Sequence, residues 1–424
     1  MDVLVISKTD NNNHATFQVP APASPVAPSS IRVRPSLLSL TSNNLTYALL
    51  GDRLNWWDAY PVPSNAPAPY NDRSAWGIVP AWGFATVLES AISDINSGTK
   101  IWGYWPASGH IIDLALTPGE PTNHWIEVSP HRQSLMVLYN RYIVSTSADE
   151  NRHAWEASVR PIWQCGYVLS EYVLTPDPAK TPAIHPFPGV PSVKTKWTNE
   201  DADISKAVVV SLAASSKTGR SVAYNFAARP PGAGPLGLLQ VTSSSGAIQD
   251  AADALKPVFA TKAVDYSGLG KEEVAEWIAG LEPEKILVID MGSRNGGFEA
   301  VHALVKSNKT LDKAQFVTLN VGYQQKVYTP ADVGAALASA TEHSKIQLNT
   351  SPILEVALQL QGTIKFFAGL EERWDHWVKN REVAVPDLKL VWGEGVPGEK
   401  GLAGGWRRLT KGDVAPEEAL VFRI

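Results

Sequence analysis

The residues whose types and spacing best suit phosphate oxygens are Ser211-Leu212-Ala213-Ala214-Ser215-Ser216-Lys217-Thr218-Gly219. They follow an apolar β-branched run, Ala207 to Leu212, and lead into an amphipathic segment from Thr218 to Ala228. Strand, small-residue loop and helix in that order open a dinucleotide-binding unit, whose G-x-G-x-x-G fingerprint lets a pyrophosphate approach a helix N-terminus. Here the three positions read Ala214, Ser216 and Gly219, so only the third glycine is present. Ala and Ser keep the loop small, and the hydroxyls of Ser215, Ser216 and Thr218 supply donors beside the Lys217 charge. Ser211-x4-Ser216-Lys217-Thr218 also has Walker spacing, with serine at both glycine positions. A P-loop needs glycine's positive φ, so the dinucleotide reading is preferred, with a vestigial loop that binds nothing as the alternative.

The end of the next strand, Leu238 to Ser244, bears on the choice of nucleotide. An acid there binds adenosine ribose hydroxyls and favours NAD; Thr242, Ser243 and Ser244 instead leave room for a 2′-phosphate, with Lys217 or Arg220 nearby, and favour NADPH. Asn44 and Tyr47 are candidates to hold a carbonyl oxygen and to donate a proton to a developing enolate, although an Asn pair ahead of a strand also serves as plain turn chemistry. Trp56, Trp57 and Tyr60 are candidates to line the pocket of a flat substrate, and His131, Arg132 and Tyr139 to bind an acidic or carbonyl group or to pair within the protein. His110 and His124 read as surface or satisfied core histidines.

These side chains need a scaffold, and the chain offers two. Residues 2–7 and Ala15 to Val19 read as paired strands. Ile31 to Leu40, the Asn44–Leu50 stretch, Gly83–Ile92 and Lys100–Trp105 read as short strands of a small distorted barrel over roughly the first 145 residues. Helical spacing runs from Ala148 to Leu174, interrupted near Pro161, and a Pro-rich loop follows over 175–195. Strands then alternate with helices from Ala207 to Asn320, the pattern of a parallel doubly wound sheet with its ligand at the carboxyl ends of the strands. The expected division is a barrel domain over 1–160, a nucleotide-binding domain over 161–340, and a return to the barrel over 341–424, with the site in a cleft between domains.

The 424 residues carry a formal charge of −5, 44% hydrophobic and 19% charged residues. That composition describes a soluble globular protein with no basic footprint for nucleic acid. No leader and no apolar run of spanning length are evident, so a cytoplasmic protein without membrane partners is expected. On that location the sequons at Asn44, Asn308 and Asn349 are chance matches. Cys165, the single cysteine, excludes internal disulfides and a thiolate-rich metal site, and its apolar surroundings suit an inert thiol.

The chain resembles the medium-chain dehydrogenase/reductase superfamily, in which a GroES-like barrel, a Rossmann-like sheet and a return to the barrel follow in this order. More closely it resembles a fungal and bacterial branch classified only as a domain of unknown function. The resemblance is carried by 42–51 (SNNLTYALLG), 76–87 (WGIVPAWGFATV), 101–110 (IWGYWPASGH), 131–142 (HRQSLMVLYNRY), 211–219 (SLAASSKTG) and 366–374 (FFAGLEERW). It implies NAD(P)-dependent reduction of a carbonyl or enoyl group. A looser similarity is to zinc-free quinone reductases and to trans-acting enoyl reductases of fungal polyketide pathways, whose phosphate loops are also rich in Ser and Thr. That similarity implies no zinc, a small-molecule substrate that can be carrier-protein-bound, a role in secondary metabolism, and a possible homodimer. It also implies that Gly292, Val321 and Gly322, in the loops after the fourth and fifth strands, border the nicotinamide, and that Asn44, Tyr47, Trp56, Trp57 and Tyr60 face the cleft. The reading is a zinc-independent NADPH-dependent reductase of an enone or enoyl compound. Two alternatives stand beside it: a nucleotide-free isomerase, lyase or cyclase reusing the fold, and a non-catalytic partner of a synthase.

Overall fold

The computed structural model describes residues 1–190, 196–294 and 296–424, so residues 191–195 of the expected Pro-rich loop lie outside the described residues. Two compact units result: Met1–Pro161 with Gln325–Tyr328 and Lys389–Ile424, and Ile162–Gln324 with Thr329–Leu388.

In the first unit β1 (Asp2–Ser7) pairs antiparallel with β2 (His14–Gln18), as expected, and with the short β4 (Trp76–Gly77). The barrel is a closed ring of β3 (Ser30–Leu40), β5 (Pro80–Ser90), β6 (Lys100–Pro106), β9 (Arg141–Val144), β8 (His124–Glu127) and β7 (Ile112–Pro118), with β7 returning to β3. Every neighbouring pair in it is antiparallel, and closure leaves this ring without free edges. The stretch after β3, read as a strand, is instead the helix α1 (Ser42–Leu49). Thr41 and Asn44 form a capping box that starts it, and its Leu45, Tyr47 and Ala48 are buried. The chain leaves the barrel through α2 (Glu150–Ser158), and α3 (Arg160–Val168) follows with Pro161 in its first turn, where a missing N–H costs nothing.

In the second unit, after α3 and the short α4 (Asn199–Ala202), strands and helices alternate: β10 (Ala207–Leu212), α5 (Lys217–Ala227), β11 (Gly237–Val241), α6 (Ser245–Leu255), β12 (Ala260–Val264), α7 (Glu272–Gly280), β13 (Lys285–Met291), α8 (Gly297–Ser307) and β14 (Gln315–Gly322). Helix α9 (Pro330–Glu342) and the two-residue β15 (Ile346–Gln347) complete a six-stranded parallel sheet of order β12-β11-β10-β13-β14-β15. Numbered along the chain this is 3-2-1-4-5-6, the doubly wound order whose direction reverses between β10 and β13. Both of those strands are buried along their full length, which is why they read as continuous apolar runs.

Residues 341–424 divide differently from the expected return. Helices α10 (Thr350–Gln361), α11 (Thr363–Lys379) and α12 (Arg381–Ala384) stay with the second unit, and only Lys389–Ile424 joins the barrel. There β16 (Lys389–Glu394), α13 (Leu402–Thr410) and β17 (Glu418–Arg423) form a parallel crossover, with β17 adding to β3. Among the described residues no single helix is long and apolar enough to cross a membrane.

Candidate active site

At the carboxyl edge of the parallel sheet, the loop between β10 and α5 turns at Ala213, whose φ is 56°. The left-handed residue thus sits one position before the first fingerprint place, Ala214, and is an alanine where glycine would adopt that φ without penalty. The third place behaves as the fingerprint demands: a Cβ on Gly219 would lie 2.6 Å from the Ala214 carbonyl oxygen, so only glycine lets α5 start this close to the loop. Ser216 is the N-cap, its Oγ accepting from the Gly219 amide at 3.1 Å. Lys217 and Thr218 are the first two helical residues, whose amides have no carbonyl to meet within the helix.

Other parts of this edge are already engaged. Thr242 Oγ1 donates to Ser215 Oγ at 2.7 Å, tying the loop to the end of β11. Ser243 is exposed beyond it, and, two residues on, Ser245 Oγ donates to Asp265 at 2.9 Å. Arg220, a candidate for a 2′-phosphate, is held elsewhere: its guanidinium makes paired bonds of 2.6 Å to Asp387, and its Nε donates to the Ser215 carbonyl. Across the switch point Ser216 Oγ lies 3.9 Å from Met291 Sδ. Asp290 folds the next loop over itself by accepting from the Gly292 and Ser293 amides at 3.1 and 2.8 Å. Gly292 has φ 96°, and a Cβ on it would meet the Tyr323 carbonyl at 2.4 Å, so it brings this loop against the end of β14, beside Val321 and Gly322. Sequence reasoning missed Tyr266, whose phenol oxygen accepts the Ala213 amide at 3.2 Å and whose ring packs on Gly297. Burial raises its pKa, so it holds its proton there.

Inside the barrel the candidates separate into groups. Tyr47 is buried amid Trp56, Tyr104 and Tyr139, with ring centroids 4.8, 5.2 and 6.0 Å away. Its oxygen accepts from Trp82 Nε1 at 3.1 Å, and burial raises its pKa to about 12. Trp82 and Tyr104 face each other directly across β5 and β6, so the signal in the sequence was the alternation Trp102-x-Tyr104 opposite Trp82. Trp57 lies apart from these rings, between Gly51 and Gly77 and beneath Lys8.

Asn44, read as a carbonyl-holding amide, works on the backbone: Oδ1 accepts from Thr41 N at 2.7 Å and Nδ2 donates to the Pro80 carbonyl at 2.8 Å. Tyr60 and Arg132 belong to a closed network. Tyr60 Oη bonds Tyr142 Oη and the Tyr104 carbonyl. The Arg132 guanidinium donates to Asn140, Tyr142 and the Tyr139 carbonyl, and Glu127 stands 3.6 Å from its Nε. Burial works against the Arg132 charge, but Tyr142, Tyr60 and Glu127 outweigh it and the guanidinium stays protonated. His131, next to it, is exposed on a short helical turn.

Among the described residues no group of three or more His, Cys, Asp and Glu side chains could hold a metal ion. Cys165 is half-buried, and burial pushes its thiol up to about 11.

None of the curated proteins compared matches the chain in sequence. Solved structures match along its whole length at low identity. CurA of Vibrio vulnificus, in complex with NADPH, is 12% identical with a TM-score of 0.54, covering 100% of this chain and 99% of its own. The Etr1p/NADP/crotonyl-CoA complex is 11% identical at 0.51, over 100% and 99%. A mutant enoyl thioester reductase from Candida tropicalis is 11% identical at 0.50, with the same coverage. These likenesses establish the fold, a GroES-like barrel joined to a Rossmann-like sheet. The model of one family, described as protein of unknown function (DUF2855), matches residues 38–415, and the chain belongs to that family.

Proposed function

We propose that this protein is a zinc-independent, NADPH-dependent reductase of an enone, enoyl or related carbonyl compound. The observation that carries the reading is Gly219: at the switch point of a 3-2-1-4-5-6 sheet, the one retained fingerprint glycine makes the helix-to-loop contact its place requires. Ser215, Ser216, Lys217, Thr218 and Gly219 would hold the pyrophosphate, and the exposed Ser243 the adenosine ribose end. Bound there, the nucleotide supplies a hydride. The chain's own share is to bind the substrate among Tyr47, Trp56 and Tyr139, to exclude water, and to keep a phenol protonated beside the carbonyl oxygen, as burial does at Tyr47. The lone, half-buried Cys165 supports the absence of a thiolate zinc site. Relatives of this fold crystallised with NADPH and with NADP support the choice of nucleotide.

The test is a titration of the purified protein with NADPH and NADH, followed by tryptophan fluorescence. NADPH should quench saturably, Gly219→Val should abolish the effect, and Ser243→Asp should move preference toward NADH by about tenfold, an acid there binding the ribose hydroxyls. Binding of neither nucleotide would sink the proposal. One feature favours a second reading, a nucleotide-free isomerase or lyase: Tyr266 already takes the Ala213 amide in a loop lacking two glycines. Turnover without nucleotide and without a change of redox state would establish it.

A further inference from the structure

The loop after β10 lacks two of the fingerprint glycines and yet keeps a bend that glycine would make without strain. Ala213 stands at φ 56°, a conformation that costs a residue with a Cβ about 1–2 kcal/mol. The loop's shape therefore has to be imposed by what surrounds it. The Ala214 amide bonds the Val241 carbonyl at 3.0 Å, Thr242 Oγ1 donates to Ser215 Oγ, Tyr266 accepts the Ala213 amide, and Arg220 Nε donates to the Ser215 carbonyl at 2.9 Å. The last of these differs in needing a partner far along the chain. Arg220 is the fourth residue of α5, only 3% of its side chain is exposed, and a guanidinium so enclosed needs a counter-charge. Asp387, which follows α12 in the same compact unit, supplies it through parallel bonds of 2.6 Å from Nη1 and Nη2, the fork that matches a carboxylate.

We propose that Asp387, acting through Arg220, is a positioning residue for the phosphate loop: the pair holds the Ser215 carbonyl and so keeps the loop in the shape that receives a pyrophosphate. The inference rests on the reading above that this loop binds a dinucleotide, and it names what holds the loop ready. With the Ser215 carbonyl on Arg220 and the Ser216 amide on the Ala213 carbonyl at 2.9 Å, that peptide is committed at both ends. The Ser215 and Thr218 amides meet no acceptor among the described residues and stay available for phosphate oxygens. Paired with Asp387, Arg220 brings no net charge to a 2′-phosphate. Its contribution is to shape, and it falls equally on NADPH and NADH, which share the pyrophosphate.

Two variants of the full-length protein test this: Asp387→Asn, and the double change Arg220→Met with Asp387→Leu. The first strands a buried cation and should melt lower; the second leaves no charge behind and should melt near wild type, since apolar replacement of a buried pair is often neutral or stabilising. In both, peptides covering residues 212–220 should exchange their amide hydrogens faster than wild type in nucleotide-free protein. NADPH and NADH should both bind about tenfold more weakly and by the same factor, because the loop must then be ordered on binding. A pair serving stability alone would leave the affinity of the double variant unchanged. Unchanged loop exchange or unchanged nucleotide affinity in the double variant overturns the proposal. A gain in NADPH affinity alone in Asp387→Asn also overturns it, because Asp387 would then be withholding the Arg220 charge from a 2′-phosphate. The exchange measurement needs no nucleotide, which separates the two readings. Faster loop exchange in the variants with no nucleotide bound by wild type defeats the reductase reading and leaves the clamp standing, whereas binding by wild type with unchanged affinity in the double variant defeats only the clamp.

Discussion

Arg132 and Tyr104 lie in the same barrel, and neither is more than 1% exposed. Around Arg132 most polar groups are met: Asn140 returns a bond to the Arg132 carbonyl, Tyr142 receives one nitrogen, and Glu127 supplies a counter-charge 3.6 Å away, its Oε2 making no hydrogen bond. Around Tyr104 the rings pack edge to face and the hydroxyl is left over. The first region has the pattern of a framework whose polar groups fix its geometry. The second keeps a polar atom at a cost to stability, and such atoms in folded proteins call for an explanation other than packing. Tyr60 and Arg132, chosen from the sequence as candidate substrate contacts, are engaged within this frame.

The largest effect expected from that contrast is at Arg132. Arg132→Ala leaves the Glu127 carboxylate, itself 2% exposed, without its cation. Removing one partner of a buried pair typically costs about 3–5 kcal/mol, so urea unfolding should shift by that order and the barrel should be the part that loosens. A change near zero would mean that the Arg132 bonds do not hold the frame, and would dissolve the distinction.

A buried histidine sharpens the same comparison through pH. His110 Nδ1 bonds Ser108 Oγ at 3.0 Å, and burial lowers its pKa from 6.5 to about 4. The folded state therefore holds the ring neutral. Below pH 6.5 the unfolded chain takes up a proton that the folded chain refuses, so stability falls as pH drops from 6.5 toward 4 and then levels off. The difference is on the order of 3 kcal/mol. Comparing wild type with His110→Gln in urea at pH 7 and pH 4.5 isolates this share from that of the carboxylates. A neutral group met by one hydroxyl should thus be stable at pH 7 and costly in acid.

What the sequence disclosed follows from how local each signal is. Strand β10, its loop and helix α5 were legible because an apolar run, a cap and a 3.6-residue period lie within some twenty residues. Gly219 was legible for the same reason. The hairpin of β5 and β6 showed itself through Asn96-Ser97-Gly98 between two aromatic strands. Of the crossover from β16 through α13 to β17, only the closing strand is legible, in the apolar run Ala419 to Ile424, because Gly393, Gly395, Gly398, Gly401, Gly404 and Gly405 interrupt any period before it. In the fold Gly393, Gly401, Gly404 and Gly405 are close contacts, a Cβ on Gly404 standing 2.0 Å from the Glu399 carbonyl, while Gly395 and Gly398 turn the chain at φ 74° and 79°. The Arg132 network was legible only in part: Asn140 and Tyr142 lie close to Arg132 in the sequence, but Tyr60 reaches them from a distant part of the chain, and only closure of the barrel brings it there. Tyr104 passed as one more aromatic strand residue for the same reason.

The smallest effect, and the finest division between frame and site, concerns Asn44. As a capping residue that also binds the Pro80 carbonyl, it anchors α1 to β5 and so fixes where Tyr47 stands. Asn44→Ala should therefore cost about 1–2 kcal/mol, the usual loss of a helix cap, read as a shift in urea unfolding. Asn44→Asp separates the two roles. An aspartate keeps the acceptor that the Thr41 amide requires but loses the donor to Pro80, so it should recover part of the lost stability. An amide kept to hold a carbonyl oxygen would behave otherwise: both variants would melt close to wild type, and Asn44 would move from the frame to the site.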